Sequence, residues 1–130
     1  EKLIKYGIPQ VKQSVVPDNI EAIQEHIRTL ETQCHLIILT GGTGLSPRDV
    51  TPEAILPLLD RRIPGAEEAI RNYGQERMPY AMLSRSVVGV TNNTLILALP
   101  GSSKGAEESM DAIFPALFHS FNVIEGTRHE

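Results

Sequence analysis

One short apolar run, followed directly by a cluster of glycines, constrains the fold of this chain more than any other feature. Residues 36–39 are four consecutive large aliphatic residues, and Thr40-Gly41-Gly42-Thr43-Gly44 follows at once. A short apolar run that ends in glycine is typical of a strand buried on both faces of a parallel sheet, with a loop at its carboxyl end. The chain is therefore predicted to fold as an α/β domain.

Other segments fit the same class. Apolar residues recur at helical spacing from Ile20 to about Thr32, and Thr51 is predicted to cap a helix that continues to Asp60. Residues 8–16 are rich in β-branched side chains and predict a strand. The apolar runs 87–90 and 95–99 are joined by Thr91-Asn92-Asn93-Thr94, which predicts a β-hairpin.

The chain ends in a helical pattern with an unusually long apolar stripe. The stripe comprises Met110, Ile113, Phe114, Leu117, Phe118 and Phe121. We expect part of this stripe, or of residues 73–82, to stay exposed on the monomer surface as an apolar patch and to form a subunit interface.

Together the elements predict a three-layer α/β/α sandwich, in which a mostly parallel sheet carries the antiparallel hairpin at its edge.

Composition excludes several classes of protein. The net charge is −4 and the 12 Lys and Arg residues are scattered, so a nucleic-acid-binding or polybasic membrane surface is not expected. No apolar run is long enough to cross a bilayer. The single cysteine, Cys34, excludes an internal disulfide and favours a cytoplasmic location. The four histidines are isolated and show no metal-ligand spacing.

The glycine loop is the first candidate for a ligand site. In open parallel sheets, ligands bind outside the carboxyl ends of the strands, where residues 17–19, 40–51 and 100–105 are expected to lie. Gly41, Gly42 and Gly44 let main-chain N–H groups approach an anion, and Thr40 and Thr43 add hydroxyl groups. A side chain at position 42 is expected to weaken nucleotide binding before it lowers stability. The alternative is a tight turn that binds nothing.

Two aspartates are candidate catalytic residues and Mg²⁺ ligands. Asp49 follows the glycine loop, and Mg²⁺ is usually held by one or two carboxylates together with substrate phosphates. Asp18 is expected to follow a strand at the same sheet edge and to face Asp49. Each has a simpler interpretation: Asp49 caps a turn beside Arg48, and Asp18 caps a helix. Ser102, Ser103 and Lys104 precede the last helix and favour either an anion site or a helix cap.

Three motifs taken together strongly resemble the molybdopterin adenylyltransferases of the MogA/MoaB type. They are Thr40-Gly41-Gly42-Thr43-Gly44, residues 48–54 (RDVTPEA) and Leu99-Pro100-Gly101-Ser102. The resemblance extends through most of the chain, including Leu83-Ser84-Arg85. It matches Asp49 and Asp18 to the functional aspartates of that family. The substrate and nucleotide residues it implies are Thr40, Gly41, Gly42, Thr43, Gly44, Ser84, Pro100, Gly101 and Ser102.

The resemblance implies a reaction and an assembly. The family transfers AMP from Mg²⁺-bound ATP to the terminal phosphate of molybdopterin and releases pyrophosphate, and it forms trimers or hexamers. Residues 1–130 are then expected to be one domain that lacks its N-terminal strand, because residues 1–6 read as the end of a helix closed by Gly7. A fused or partner domain that resembles MoaC is a further expectation. The alternatives are a non-catalytic pterin- or nucleotide-binding scaffold and an unrelated Rossmann-like enzyme, which the missing dinucleotide fingerprint disfavours.

Overall fold

The computed structural model describes residues 2–8 and 11–126, which contain four strands and six α-helices. The strands are β1 (Leu36–Thr40), β2 (Arg61–Arg62), β3 (Val87–Thr91) and β4 (Thr94–Leu99). The α-helices are α1 (Lys2–Lys5), α2 (Ile20–Leu30), α3 (Thr51–Ile55), α4 (Pro64–Gln75), α5 (Ser103–Ile113) and α6 (His119–Ile124). Short 3₁₀ helices cover Leu56–Leu58, Pro79–Leu83 and Ala116–Phe118, and we call the second of these the Pro79–Leu83 turn. No helix within these ranges is long and apolar enough to cross a membrane.

The sheet is mixed rather than mostly parallel. Its strand order is β1-β4-β3-β2, in which β1 and β4 are parallel while β4–β3 and β3–β2 are antiparallel. The sequence predicts the hairpin at the sheet edge, but β3 and β4 lie between β1 and β2. The reason is β2, two charged residues with no apolar pattern, which pair with β3 opposite Val90 and Gly89. The hairpin itself is confirmed, with a two-residue turn at Asn92 and Asn93.

The strand predicted over residues 8–16 is wrong for its described part. Residues 11–16 form no strand, and residues 9 and 10 lie outside the described residues. The Val15 side chain is 98% exposed, so the segment does not sit on a half-buried pleated surface. Its β-branched residues fit a strand only where a neighbouring strand supplies hydrogen bonds and packing. None of the four described strands pairs with it.

Two predicted helix caps are replaced by neighbouring residues. Asn19, not Asp18, caps α2: its Oδ1 accepts a hydrogen bond from the N–H of Ala22 at 2.9 Å. Thr51 lies inside α3, whose N-cap is Val50 with no side-chain hydrogen bond. The helix predicted from Thr51 to Asp60 is also shorter, because α3 ends at Ile55 and one 3₁₀ turn follows.

Helices cover both faces of the sheet, which confirms the three-layer α/β/α architecture. All six residues of β4 are buried, so this strand lies at the centre of the core. On one face the core includes Ile70, Met110, Ile113, Phe114 and Leu117. On the other it includes Ile23, Ile27, Ala54 and Ile55. The C-terminal stripe is therefore used mainly inside the domain, and its helix ends at Ile113 rather than running on to Phe121.

A buried carboxylate joins α4 to the antiparallel part of the sheet. Glu67 is only 3% exposed, and its Oε1 lies 2.8 Å from Nη2 of Arg62 on β2. Its Oε2 accepts a hydrogen bond from the main-chain N–H of Val88 on β3 at 3.0 Å. Arg71 adds a second cation at 3.8 Å. These partners offset the cost of burying the charge, which an isolated carboxylate could not bear.

Candidate functional site

The candidate site begins where the parallel strands β1 and β4 end together. Gly41 and Gly42 follow β1 with φ angles of +96° and +69°, in the left-handed region that glycine adopts without strain. The N–H of Gly41 donates to the carbonyl of Leu99 at 2.9 Å and so extends the pairing with β4. A Cβ built on Gly101 would lie 3.1 Å from Cα of Gly41. The two loops therefore meet backbone against backbone, and a side chain at position 101 would be tightly packed against Gly41.

Thr51 fixes the conformation of the glycine turn from inside the protein. Its hydroxyl donates to the carbonyl of Gly41 at 3.0 Å, and its N–H donates to the carbonyl of Gly42 at 3.1 Å. A Cβ on Gly42 would overlap the Thr51 hydroxyl and lie 3.2 Å from Thr51 Cβ. The side of Gly42 on which a Cβ would lie thus faces Thr51 in the interior. Thr51 stabilises the turn instead of capping α3.

The turn leaves main-chain donors available. Within the described residues, the N–H groups of Gly42, Thr43 and Gly44 donate no hydrogen bond, and neither do those of Gly101 and Ser102. Consecutive N–H groups of this kind attract anions. The loops that carry them border an open depression of about 510 Å³, which we call the loop cavity. It is lined by Gly41, Gly42, Thr43, Gly44, Leu45, Asp49, Tyr80, Leu83, Ser84, Pro100 and Gly101.

Asp49 is the acidic residue of the loop cavity. Its Oδ2 accepts a hydrogen bond from the N–H of Ser46 at 3.0 Å, and its own N–H donates to the carbonyl of Ser46 at 2.9 Å. Asp49 therefore caps a turn and lines the cavity at once. Among the described residues it forms no ion pair with Arg48. Its Oδ1 has no partner there, which leaves one carboxylate oxygen for a ligand.

A second cavity of about 210 Å³ adjoins the first, between α4, the Pro79–Leu83 turn and α5. Tyr80, Ser84 and Pro100 line both cavities. The Ser84 hydroxyl lies 3.2 Å from the hydroxyl of Thr43 on one side and 3.2 Å from that of Ser86 on the other. Ser102, at the N-terminus of α5, lines this second cavity, and its hydroxyl accepts a hydrogen bond from the N–H of Gly105 at 3.0 Å.

The sequence matches the family model described as a probable molybdopterin-binding domain over residues 1–119. That match covers most of the chain. The chain belongs to this molybdopterin-binding family.

Several named proteins are similar to this molybdopterin-binding domain. It is 48% identical to a gephyrin of Dictyostelium discoideum over 85% of the chain and 16% of that protein. It is 35% identical to a molybdenum cofactor biosynthesis bifunctional protein of Chlorobaculum tepidum, over 99% of the chain and 42% of the relative. It is 38% identical to the molybdopterin adenylyltransferase of Escherichia coli, over 80% and 54% respectively. The chain thus spans about half or less of the length of these relatives.

Solved structures of the family share the fold. The MoaB structure from Thermus thermophilus is 47% identical, with a TM-score of 0.77 over 85% of this chain and 70% of that one. The Mog protein of Mycobacterium ulcerans is 39% identical, with a TM-score of 0.87 over 95% and 81%. These likenesses confirm the α/β fold class.

The structure gathers most, but not all, of the site residues predicted for this molybdopterin-binding domain. Gly41 to Gly44, Asp49, Ser84 and residues 100–102 border the two cavities. Thr40 ends β1 with its side chain exposed and lines neither cavity. Asp18 is exposed ahead of α2 and also lines neither. Its predicted role opposite Asp49 depends on a strand over residues 8–16, and residues 11–16 form none.

The cavity fits Mg²⁺ only in one way. No group of three or more His, Cys, Asp or Glu residues within residues 2–8 and 11–126 could hold a metal ion. Mg²⁺ does not require such a group, since one carboxylate together with substrate phosphates and water completes its octahedron. Asp49, with one free oxygen beside the unpaired N–H groups, has the donor set for this arrangement.

Sequence reasoning assigned no site role to Tyr80, Leu83 or Arg85, although Leu83 and Arg85 belong to a motif of the resemblance. Tyr80 and Leu83 are exposed and line the loop cavity from the Pro79–Leu83 turn, which has no periodic pattern.

Arg85 reaches the loop that carries Asp49 and forms an ion pair with Glu53. The hydrogen bond from Arg85 lowers the pKa of the Glu53 carboxyl below its ordinary value of 4.5. The available signal was a charged residue two positions before the buried strand β3, where a cation needs a partner.

Proposed function

We propose that the protein is a molybdopterin adenylyltransferase, which transfers AMP from ATP to the terminal phosphate of molybdopterin with release of pyrophosphate. The observation that carries the proposal is the Asp49 carboxylate, which lines the same cavity as the unpaired N–H groups after β1. Family membership and the adenylyltransferase relatives support it.

Binding is the first task of the site, because both substrates are polyanions. The N–H groups of Gly42, Thr43 and Gly44 can bind phosphate oxygens without a side-chain cation. The N–H groups of Gly101 and Ser102 offer further donors, next to the positive end of the α5 dipole. Gly41 and Gly101 keep the two sets of donors together.

Positioning accounts for most of the proposed catalysis. A phosphate oxygen of molybdopterin attacks the α-phosphorus of ATP, and the bond from that phosphorus to the pyrophosphate leaving group breaks. The protein supplies no covalent intermediate, so it has to align the two phosphates and stabilise the charge on pyrophosphate. Asp49 Oδ1 would hold Mg²⁺, which neutralises phosphate charge when bound. Ser84 lines both cavities and Thr43 lines the loop cavity, and their hydroxyls, 3.2 Å apart, would orient the reacting groups.

The direct test is pyrophosphate release from ATP on addition of molybdopterin. Asp49→Asn removes the metal-binding charge but keeps an oxygen that can accept from Ser46. We expect turnover to fall by about 100-fold or more, because electrostatic stabilisation is a dominant contribution in such reactions, while the fold persists. Asp60→Asn is the matched control: Asp60 accepts from the N–H of Asn92 and lines neither cavity. Near-normal adenylylation by Asp49→Asn would contradict the assignment, and pterin binding without turnover in the unaltered protein would favour a scaffold.

We further propose that the protein forms a trimer or hexamer in the cytoplasm. Exposed large apolar side chains cluster on and beside the Pro79–Leu83 turn, at Met78, Tyr80, Met82 and Leu83. A patch of this kind usually marks an interface, and the resemblance to the MogA/MoaB type implies three-fold assembly.

The proposed location in the cytoplasm rests on Cys34, since a single cysteine is typical of a reducing compartment. A fused or separate partner domain is proposed by analogy with the bifunctional relative.

A further inference from the structure

The Arg85 side chain binds the loop that carries Asp49 at two places and the following helix α3 at a third. Its Nε donates to the carbonyl of Gly44 at 2.9 Å, and its Nη2 donates to the carbonyl of Asp49 at 2.9 Å. Its Nη1 pairs with the carboxylate of Glu53 on α3. The main-chain N–H of Arg85 also donates to the carbonyl of Thr43 at 2.7 Å. One residue thus connects the start of the loop, its acidic residue and the following helix.

The other hydrogen bonds of residues 44–49 stay within the loop. The N–H of Ser46 donates to the Asp49 carboxylate, and the N–H of Asp49 donates to the Ser46 carbonyl. The N–H of Arg48 donates to the Ser46 hydroxyl. In the described part of the chain, Arg85 is the only residue outside this loop that hydrogen-bonds to it. The side chains of residues 45–48 are exposed and offer little packing. Arg85 therefore holds the main chain that carries the Asp49 carboxylate, while the carboxylate itself accepts from the Ser46 N–H.

Arg85 is not placed to bind substrate. It lines neither cavity, and its charge is compensated by Glu53. Its side chain is 34% exposed, so two thirds of it is covered by protein. The guanidinium is a rigid, planar group with five donors, which suits three acceptors in different directions, whereas the ammonium of lysine is a point charge on a flexible stem.

We propose that Arg85 is a positioning residue, which holds residues 44–49 so that the Asp49 carboxylate faces the loop cavity. The part of this inference that concerns catalysis rests on the proposed adenylyltransferase function. The part that concerns the order of the loop does not, and it is measured without substrate.

The test is amide hydrogen exchange in Arg85→Met and Arg85→Lys. Loss of the guanidinium should accelerate exchange of the Ser46 and Asp49 amides by about tenfold or more, since hydrogen bonds from a charged donor are stronger than neutral ones. Exchange of the Leu97 amide in β4 should not change. Arg77→Met is the matched control, because its guanidinium donates to the Tyr73 carbonyl and does not touch the loop. If Arg85→Met does not fold, Arg85→Lys carries the test, with a smaller acceleration at the same amides.

A second measurement separates positioning from general stability. In the adenylylation assay, Arg85→Lys should require a several-fold higher Mg²⁺ concentration for half-maximal rate, with a lower kcat and little change in KM for ATP. Unchanged exchange at Ser46 and Asp49 in a folded Arg85 variant would overturn the proposal, as would equal acceleration at Leu97. If the unaltered protein shows no adenylylation, the proposed function fails, and the exchange experiment still decides the role of Arg85.

Discussion

Replacement of Gly42 by alanine is the sharpest test of how the glycine turn is built. The new Cβ would overlap the Thr51 hydroxyl, in a residue whose φ is +69°. The sequence alone predicts that a side chain here weakens nucleotide binding before stability. Because the Cβ points at Thr51 and away from solvent, the structure predicts that stability falls as well.

The size of the effect follows from two contributions. Alanine in the left-handed region costs about 1–2 kcal/mol relative to glycine. Displacement of Thr51 weakens its hydrogen bond to the Gly41 carbonyl, which costs about 1 kcal/mol more. We therefore expect Gly42→Ala to lower the free energy of unfolding by about 2–3 kcal/mol, the sum of these contributions.

The neighbouring glycine provides the control. Gly41 also has a positive φ, but a Cβ there would meet only Cα of Gly101 at 3.9 Å, an ordinary contact. Gly41→Ala should therefore cost only the first contribution. In urea unfolding, Gly42→Ala should lower the midpoint more than Gly41→Ala does, and Thr51→Ala should partly relieve the effect of Gly42→Ala in the double variant. Equal midpoints for the two glycine variants, with no relief by Thr51→Ala, would refute the reasoning.

Two other predictions concern charge and assembly. Arg85 lowers the pKa of Glu53, so the stability that this pair contributes is fully present above pH 4.5 and is lost as the pH falls through the lower folded-state pKa. The difference in unfolding free energy between the unaltered protein and Glu53→Gln should therefore shrink on acidification. This difference should be small at every pH, because the Glu53 side chain is 45% exposed. Light scattering should give the mass of a trimer or hexamer, and Met82→Glu should shift it toward the monomer; a stable monomer at micromolar concentration would contradict the proposed interface.

Much of the fold could be predicted because its signals are local. The buried run of β1, the helical spacing of α2 and the hairpin of β3 and β4 each carry their own pattern, and the structure confirms them. The segment over residues 11–16 could not be judged in this way, since its strand propensity depends on a neighbour. β2 has only two residues, both arginine, and is defined by its pairing with β3.

The candidate site was predictable where motifs name its residues and not where contacts define them. The glycine turn, Asp49, Ser84 and residues 100–102 were identified from sequence and line the two cavities. The role of Thr51 was not, because a threonine before a proline at a helix start indicates a cap, whereas here its hydroxyl bonds the Gly41 carbonyl. The reach of Arg85 to Gly44 and Asp49 spans 41 and 36 residues, which no local pattern encodes.

The close approach of Gly101 to Gly41 divides the lining of the loop cavity into a part that tolerates few substitutions and a part that tolerates more. A Cβ on Gly42 would overlap the Thr51 hydroxyl, and a Cβ on Gly101 would lie 3.1 Å from Cα of Gly41, so the backbone wall of the loop cavity tolerates few side chains. The lining of the same cavity also includes Tyr80 and Leu83, whose side chains are exposed in the monomer. A change in the shape of the loop cavity is therefore most accessible through the Pro79–Leu83 turn, and such a change would alter the proposed subunit interface at the same time.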